Sequence, residues 1–108
     1  MNNQNNEFPK LSRKEFSILE MLIDKEEMYG LEMVEASMGE LKRGTIYVTL
    51  QRMSDKGYIK SREEPRTIPE IGIPRRKYQA TGLGEKVFRT NLKAQEFFNS
   101  EFAMGGNS

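Results

Sequence analysis

The chain of 108 residues is 36% hydrophobic and 31% charged, with a formal net charge of +1, which suits one small domain with a modest core. It contains no cysteine and no histidine, which argues against disulfides, the usual zinc sites and histidine-dependent catalysis, so we expect neither an enzyme nor a cofactor. No apolar run approaches the roughly 18 residues of a membrane span, and the polar N-terminus lacks the regions of a signal peptide, so we expect a cytoplasmic protein.

The small net charge conceals two regions of opposite charge. Between Lys14 and Glu40 there are two lysines and eight acidic residues, whereas between Lys42 and Lys77 there are ten basic and four acidic residues. Affinity for nucleic acid follows the local basic patch rather than the net charge. The second region is therefore the candidate DNA-binding surface.

The first predicted helix begins at Ser12. Ser12 and Glu15 have the spacing of a capping box, and Leu11 and Phe16 occupy the positions of a hydrophobic staple. An apolar stripe continues from Phe16 to a stop near Lys25, and we interpret this helix as scaffold.

Two further helices follow the first. The second is predicted over residues 29–37 with Gly39 as its stop, and the third over residues 44–56 with Gly57 as a left-handed C-terminal residue. In the third helix, Ile46, Leu50 and Met53 recur at helical spacing and predict a buried face.

The third helix also carries side chains that suit a DNA major groove. Guanidinium groups reach guanine edges, hydroxyls reach phosphates or bases, and methyl groups contact thymine. Gly44 has two interpretations, either a helix-start residue or a close approach of the backbone to a phosphate. The alternative for the whole set is the solvated face of an amphipathic helix. The candidate side chains are Lys42, Arg43, Thr45, Val48, Thr49 and Arg52.

After Gly57 the apolar period changes to two, which predicts a hairpin with strands over residues 58–63 and 75–80. A loop rich in proline and glycine joins the strands. Charged hairpin edges also prevent aggregation, and alternation places Arg76 on the face opposite to Arg75 and Lys77, so not all of these cations can touch one duplex. The candidate phosphate contacts are Lys60, Arg62, Arg66, Arg75, Arg76 and Lys77.

Thr81 is the predicted cap of a long last helix that starts at Gly82. Its phenylalanines would leave an apolar patch on a monomer, which favours contact with a second subunit. The predicted dimer interface consists of Phe88, Leu92, Phe97, Phe98 and Phe102.

The order of three helices, a basic hairpin and a long helix is the winged helix-turn-helix plan. The predicted fold class is mainly α with a two-stranded β-hairpin wing. We divide the chain into disordered tails over residues 1–10 and 105–108, a winged helix domain over 11–81 and a dimerisation helix over 82–104.

From about Leu11 to Val87 the chain resembles PadR-like transcriptional regulators. The resemblance depends on an ordered set of short segments at matching spacings. These are residues 28–33 (MYGLEM), 44–53 (GTIYVTLQRM), 56–59 (KGYI), 75–78 (RRKY) and 81–84 (TGLG).

The resemblance implies a homodimeric repressor of the small branch of that family. The third helix would enter the major groove, the wing would touch backbone or minor groove, and the Tyr47 hydroxyl would reach a phosphate, although Tyr47 can also be half core. Some small members bind planar apolar effectors at the dimer interface against a tryptophan. This chain has no tryptophan, and Phe88, Phe97, Phe98 or Phe102 would have to replace it.

The favoured function is therefore sequence-specific binding of double-stranded DNA at a palindromic operator with half-sites roughly 34 Å apart. One alternative is a protein-docking winged helix that uses the acidic region from Lys14 to Glu40, because the fold alone does not fix function. Another is a dimer that binds an apolar ligand between its phenylalanines.

Overall fold

The computed structural model describes residues 9–64 and 75–106. The three strands form one antiparallel sheet in the order β1-β3-β2. The predictions for the first eight residues, for most of the hairpin loop including Arg66, and for the last two residues lie outside the described residues. The elements are α1 (Arg13–Lys25), β1 (Met28–Tyr29), α2 (Gly30–Ala36), α3 (Ile46–Asp55), β2 (Ile59–Glu64), β3 (Arg75–Ala80) and α4 (Gly82–Gly106).

The sequence predicted this order apart from β1. The start of α3 and the end of α4 each differ from the prediction by two residues, and the bounds of α2 and β2 differ by one. The strand β1 adds a third member to the predicted two-stranded sheet by pairing Met28 with Tyr78. Helix α3 begins at Ile46 rather than at Gly44, because the preceding residues form a turn in which the Lys42 carbonyl accepts from the Ile46 amide at 2.9 Å. Helix α4 continues to Gly106, two residues past its predicted end.

Short-range caps explain why the helices start where they do. The Ser12 hydroxyl accepts from the Glu15 amide at 3.2 Å, and the Ser12 amide donates to the Glu15 carboxylate at 2.9 Å, which confirms the capping box. Thr81 caps α4 by accepting from the Gly84 amide at 3.0 Å, and its hydroxyl donates to the Gly57 carbonyl at 2.6 Å. Gly57 has a φ of 83°, as predicted for its left-handed position.

The core lies where α1, α2 and α3 meet the inner face of the sheet. The buried face predicted for α3 is confirmed, since Ile46, Leu50 and Met53 are each at most 1% exposed. Met28, Ile59 and Tyr78 bring the sheet into the same cluster. The largest fully buried side chains are Ile18, Leu19, Leu22, Met33, Ile46, Leu50 and Met53.

The first half of α4 belongs to this core, and its second half projects from it. Phe88 is 8% exposed, with its ring centroid 4.6 Å from that of Phe16, and Leu92 is half-buried against the same cluster. Phe97 and Phe98 are 68% and 64% exposed. The sequence placed Phe88 in the dimer interface, whereas its ring packs against Phe16 inside its own subunit.

The described side chains of α4 end before Phe102, so its predicted place in the interface lies outside them. No helix in the described part of the chain is both long and apolar enough to cross a membrane.

Candidate nucleic-acid interface

Helix α3 and the turn before it present one open face. The turn is fixed to α1, because the Glu40 carboxylate accepts from Arg13 at 3.1 Å and from the Ser17 hydroxyl at 2.8 Å. The start of α3 is therefore held firmly while its polar side stays open to solvent. On this face Thr49 is half-buried, and the exposed residues are Lys42, Arg43, Gly44, Thr45, Tyr47, Val48, Gln51 and Arg52.

The two edges of this face border different elements. Thr45, Thr49 and Arg52 adjoin the first turn of α1 across a groove of about 320 Å³. Tyr47 and Gln51 adjoin the hairpin across a larger cleft of about 740 Å³. Helix α3 is therefore flanked by a groove on each side, and each groove could receive part of a DNA backbone.

Gln51 is a candidate that the sequence interpretation missed. It is exposed, and its amide nitrogen donates to Asp55 at 3.0 Å. Helical periodicity already contained the signal, since the buried positions 46, 50 and 53 place residue 51 near the opposite side. A glutamine there matters because its amide can form two hydrogen bonds with adenine.

Tyr47 on α3 and Tyr78 on β3 both line the cleft between α3 and the wing. The Tyr47 side chain is half exposed, and its ring lies against Gly30, where an added Cβ would be 2.8 Å from the ring. Burial raises the pKa of Tyr78, and Tyr47 raises it further. The Tyr78 phenol is therefore neutral near pH 7 and keeps its proton.

The strand register assigns the wing cations to opposite faces. Arg76 pairs with Glu63, next to the pair of Ser61 and Tyr78, and this face continues the buried face toward α3. The predicted alternation is confirmed, because the outer-face pairs are Lys60 with Gln79, Arg62 with Lys77 and Glu64 with Arg75. Among these basic residues Arg76 shares the sheet face of Tyr78, and Arg75, although it belongs to the outer face by register, also lines the cleft.

Several wing cations are already engaged by acidic side chains. Arg62 binds the Glu27 carboxylate at 3.0 and 3.2 Å, and Lys77 lies 3.6 Å from Glu64 and 3.9 Å from Glu27. The hydrogen bond from Arg62 lowers the pKa of Glu27, more than its partial desolvation raises it. Arg76 binds Glu63 at 3.1 Å.

The remaining cations carry the net positive charge of the interface. Arg75 stacks over the Tyr29 ring at 3.9 Å. Within residues 9–64 and 75–106, no acidic side chain forms an ion pair with Lys42, Arg43, Arg52 or Lys60. Positive charge is thus concentrated at the start and on one edge of α3. Across the same ranges, acidic side chains nowhere gather into a cluster of three that could hold a metal ion.

Residues 18–90, more than half of the chain, match a family model whose description is "Transcriptional regulator PadR-like family". The chain belongs to the PadR-like family. The predicted resemblance is confirmed, and the matched segment contains α2, α3, both long strands and the part of α4 that joins the core. This PadR-like protein is therefore a DNA-binding transcriptional regulator with a winged helix fold.

Solved structures agree with this assignment. A PadR family transcription regulator from Clostridium difficile R20291 is 28% identical, with a TM-score of 0.67 over 88% of this chain and 97% of that one. A PadR-like transcription factor from Bacteroides fragilis shares the fold, at 22% identity and a TM-score of 0.70 over 84% and 87% of the two chains. A PadR-like regulator from Bacillus cereus does so too, at 20% identity and 0.65 over 88% and 92%. No curated protein matches the chain significantly.

Proposed function

We propose that this PadR-like protein is a sequence-specific repressor that binds a palindromic operator as a homodimer. The observation that carries the proposal is the open face of α3, where cations that have no acidic partner among the described residues stand beside hydroxyl, methyl and amide groups. This combination matches the hydrogen-bonding pattern of the major groove. The proposed contacts are Lys42, Arg43, Gly44, Thr45, Tyr47, Val48, Gln51, Thr49 and Arg52.

The cleft between α3 and the wing gives a place for one sugar-phosphate backbone. With α3 in the major groove, the backbone strand that separates the two grooves would pass between α3 and the hairpin. Tyr47 and Ser61 line this cleft with their hydroxyl groups, together with Arg75 and Arg76. Such contacts position the protein without reading sequence. We propose that the outer-face cations Lys60, Arg62 and Lys77 attract DNA through their long-range electrostatic field.

The projecting half of α4 supports a dimer. Phe97 and Phe98 expose most of their rings, and full burial of one phenylalanine stabilises by about 1.5–3 kcal/mol. A second copy of the chain would cover both rings and set two copies of α3 roughly 34 Å apart. A planar apolar effector would bind against the same rings and change the angle between the two reading helices.

Selection of bound sequences from a random duplex pool, at low and near-physiological salt, tests operator recognition. We expect one palindrome to be enriched at both salt concentrations. Binding that disappears with salt and enriches no motif would contradict the proposal and favour protein docking through the acidic region from Lys14 to Glu40.

Sedimentation of the Phe97→Glu variant tests the dimer. A carboxylate cannot be buried without a partner, so we expect monomers and the loss of palindrome binding. Gln95→Glu adds the same charge at an exposed position of the same helix and is the matched control. Equal dimerisation of the two variants would show that Phe97 lies outside the interface.

A further inference from the structure

Glu27 lies in a hydrogen-bonded turn directly after the C-terminus of α1. Glu26 has a φ of 76°, a conformation uncommon for a residue other than glycine. The Glu26 amide donates to the Leu22 carbonyl at 2.8 Å, and the Glu27 amide donates to the Lys25 carbonyl at 2.9 Å. The chain therefore reverses sharply, and Glu27 is held one residue before β1.

From this position the Glu27 carboxylate reaches both long strands of the wing. Its two oxygens accept from the Nη2 and Nε of Arg62 at 3.0 and 3.2 Å, which is a two-pronged and therefore directional contact. Lys77 on β3 lies 3.9 Å away. One side chain that precedes β1 thus contacts both β2 and β3 on the sheet face opposite to α3.

Glu64 and Tyr29 complete the cluster around Glu27. Glu64 lies 3.6 Å from both Arg62 and Lys77 and accepts a hydrogen bond from the Tyr29 hydroxyl. The Glu27 side chain is only 25% exposed, and that of Lys77 is 28% exposed. Lys77 is therefore partly withdrawn from solvent, whereas Arg62 is 53% exposed and is engaged by the Glu27 carboxylate.

We propose that Glu27 is a positioning residue that determines specificity in DNA binding. It fixes the direction of the wing relative to α3, and it keeps Arg62 and Lys77 from binding phosphates at random. This inference rests on the proposed operator recognition.

Fixing the wing should favour operator binding, and restraining Arg62 and Lys77 should weaken non-specific binding. Non-specific affinity rises with the number of cations that neutralise phosphates, and each added contact steepens the salt dependence by about 0.9. Specific affinity instead requires that the wing and α3 fit one duplex together. Loss of Glu27 should therefore strengthen non-specific binding and weaken operator binding.

The test compares Glu27→Gln with Glu20→Gln. Glu20 is exposed on α1 and forms no ion pair within the described ranges, so the control makes the same change in net charge. Dissociation constants are measured over a salt series on the selected operator and on a scrambled duplex. Glu64 still contacts Lys77 in this variant, so for Glu27→Gln we expect a salt slope steeper by about one on the scrambled duplex, from Arg62. We also expect an operator preference reduced roughly threefold or more.

A double variant separates the two roles. Adding Arg62→Gln to Glu27→Gln removes one released cation, so the salt slope should return toward the wild-type value while the operator preference stays low. If Glu27→Gln matches Glu20→Gln in both slope and preference, the inference is overturned. Equal tightening on both duplexes would also overturn it, because the wing would then need no anchor. If the wild type enriches no motif, the operator proposal fails, yet the scrambled-duplex slopes still test Glu27.

Discussion

The carboxylate of Glu15 binds the Nζ of Lys56 at 2.7 Å and so joins the first turn of α1 to the residue that caps the end of α3. Glu15 is 7% exposed. Burial disfavours its charged form, but hydrogen bonds from Lys56 and from Ser12 outweigh burial and lower its pKa. This pair therefore helps to fix the orientation of the proposed recognition helix.

Replacing Glu15 by glutamine should lower the free energy of unfolding by about 1–2 kcal/mol near pH 7. This value lies between the usual effect of breaking an exposed ion pair and that of breaking a buried one. The folded-state pKa lies below the ordinary value of 4.5, so the wild-type advantage is complete above that value. It is lost as the pH falls through the lower folded-state pKa. Urea unfolding of both proteins over an acid series measures this, and a pH-independent difference would contradict the ionic explanation.

Gly84 allows α4 to pack directly on the turn that follows α3. A Cβ at this position would overlap the carbonyl oxygen of Tyr58, which is backbone and cannot swing away. Gly84→Ala should therefore lower the free energy of unfolding by about 2–3 kcal/mol. Gly82→Ala is the matched control, because nothing lies within 4 Å of its Cβ. Thermal unfolding that ranks the two variants equally would show that the contact relaxes easily.

The features predicted correctly from the sequence depend on neighbouring residues. The cap formed by Ser12 and Glu15, the left-handed Gly57 and the buried face of α3 each follow from spacings within two helical turns. Gln51 was missed, although its exposure follows from the same helical period. Local chemistry therefore determined most of the element order.

The features that the sequence did not predict depend on distant partners. The strand β1 has two residues, too few for an alternating pattern, and it exists because Met28 pairs with Tyr78. Phe88 and Phe97 lie on one helix, and only the packing of α1 decides that the first ring is core. The contact between Glu27 and Arg62 joins residues 35 positions apart, which no spacing rule reveals.

Gly30 controls where the Tyr47 ring lies. An added Cβ at Gly30 would be 2.8 Å from the ring and 3.1 Å from its hydroxyl oxygen, and the half-exposed ring can move away with little loss of stability. Gly30→Ala should thus weaken DNA binding by about 1 kcal/mol, the value of one hydrogen bond, without a matching fall in melting temperature.

A double-mutant cycle checks that this effect passes through Tyr47. Adding Gly30→Ala to Tyr47→Ala should cause no further loss of affinity, because the displaced ring is already absent. Tyr47→Phe keeps the ring and removes the hydroxyl, and it should reproduce most of the loss. Additive effects in the cycle would mean that Gly30 acts on DNA by another route.

Arg52 and Gln51 should contribute to sequence preference rather than to affinity alone. Each side chain is exposed on α3, and removal of a base-reading group costs about 1–3 kcal/mol and relaxes the preference at one position of the site. Arg76→Gln should instead weaken binding to all sequences alike and reduce the salt slope by about one.

Competition binding against operators with single base changes measures these effects for Arg52→Ala, Gln51→Ala and Arg76→Gln. Lys93→Ala removes one exposed cation from α4 and controls for the change in charge. An Arg52→Ala protein that keeps both affinity and preference would mean that the edge of α3 beside α1 faces away from the bases. Preference would then have to come from the opposite edge, where Gln51 borders the cleft, and the Gln51→Ala result in the same assay would decide this.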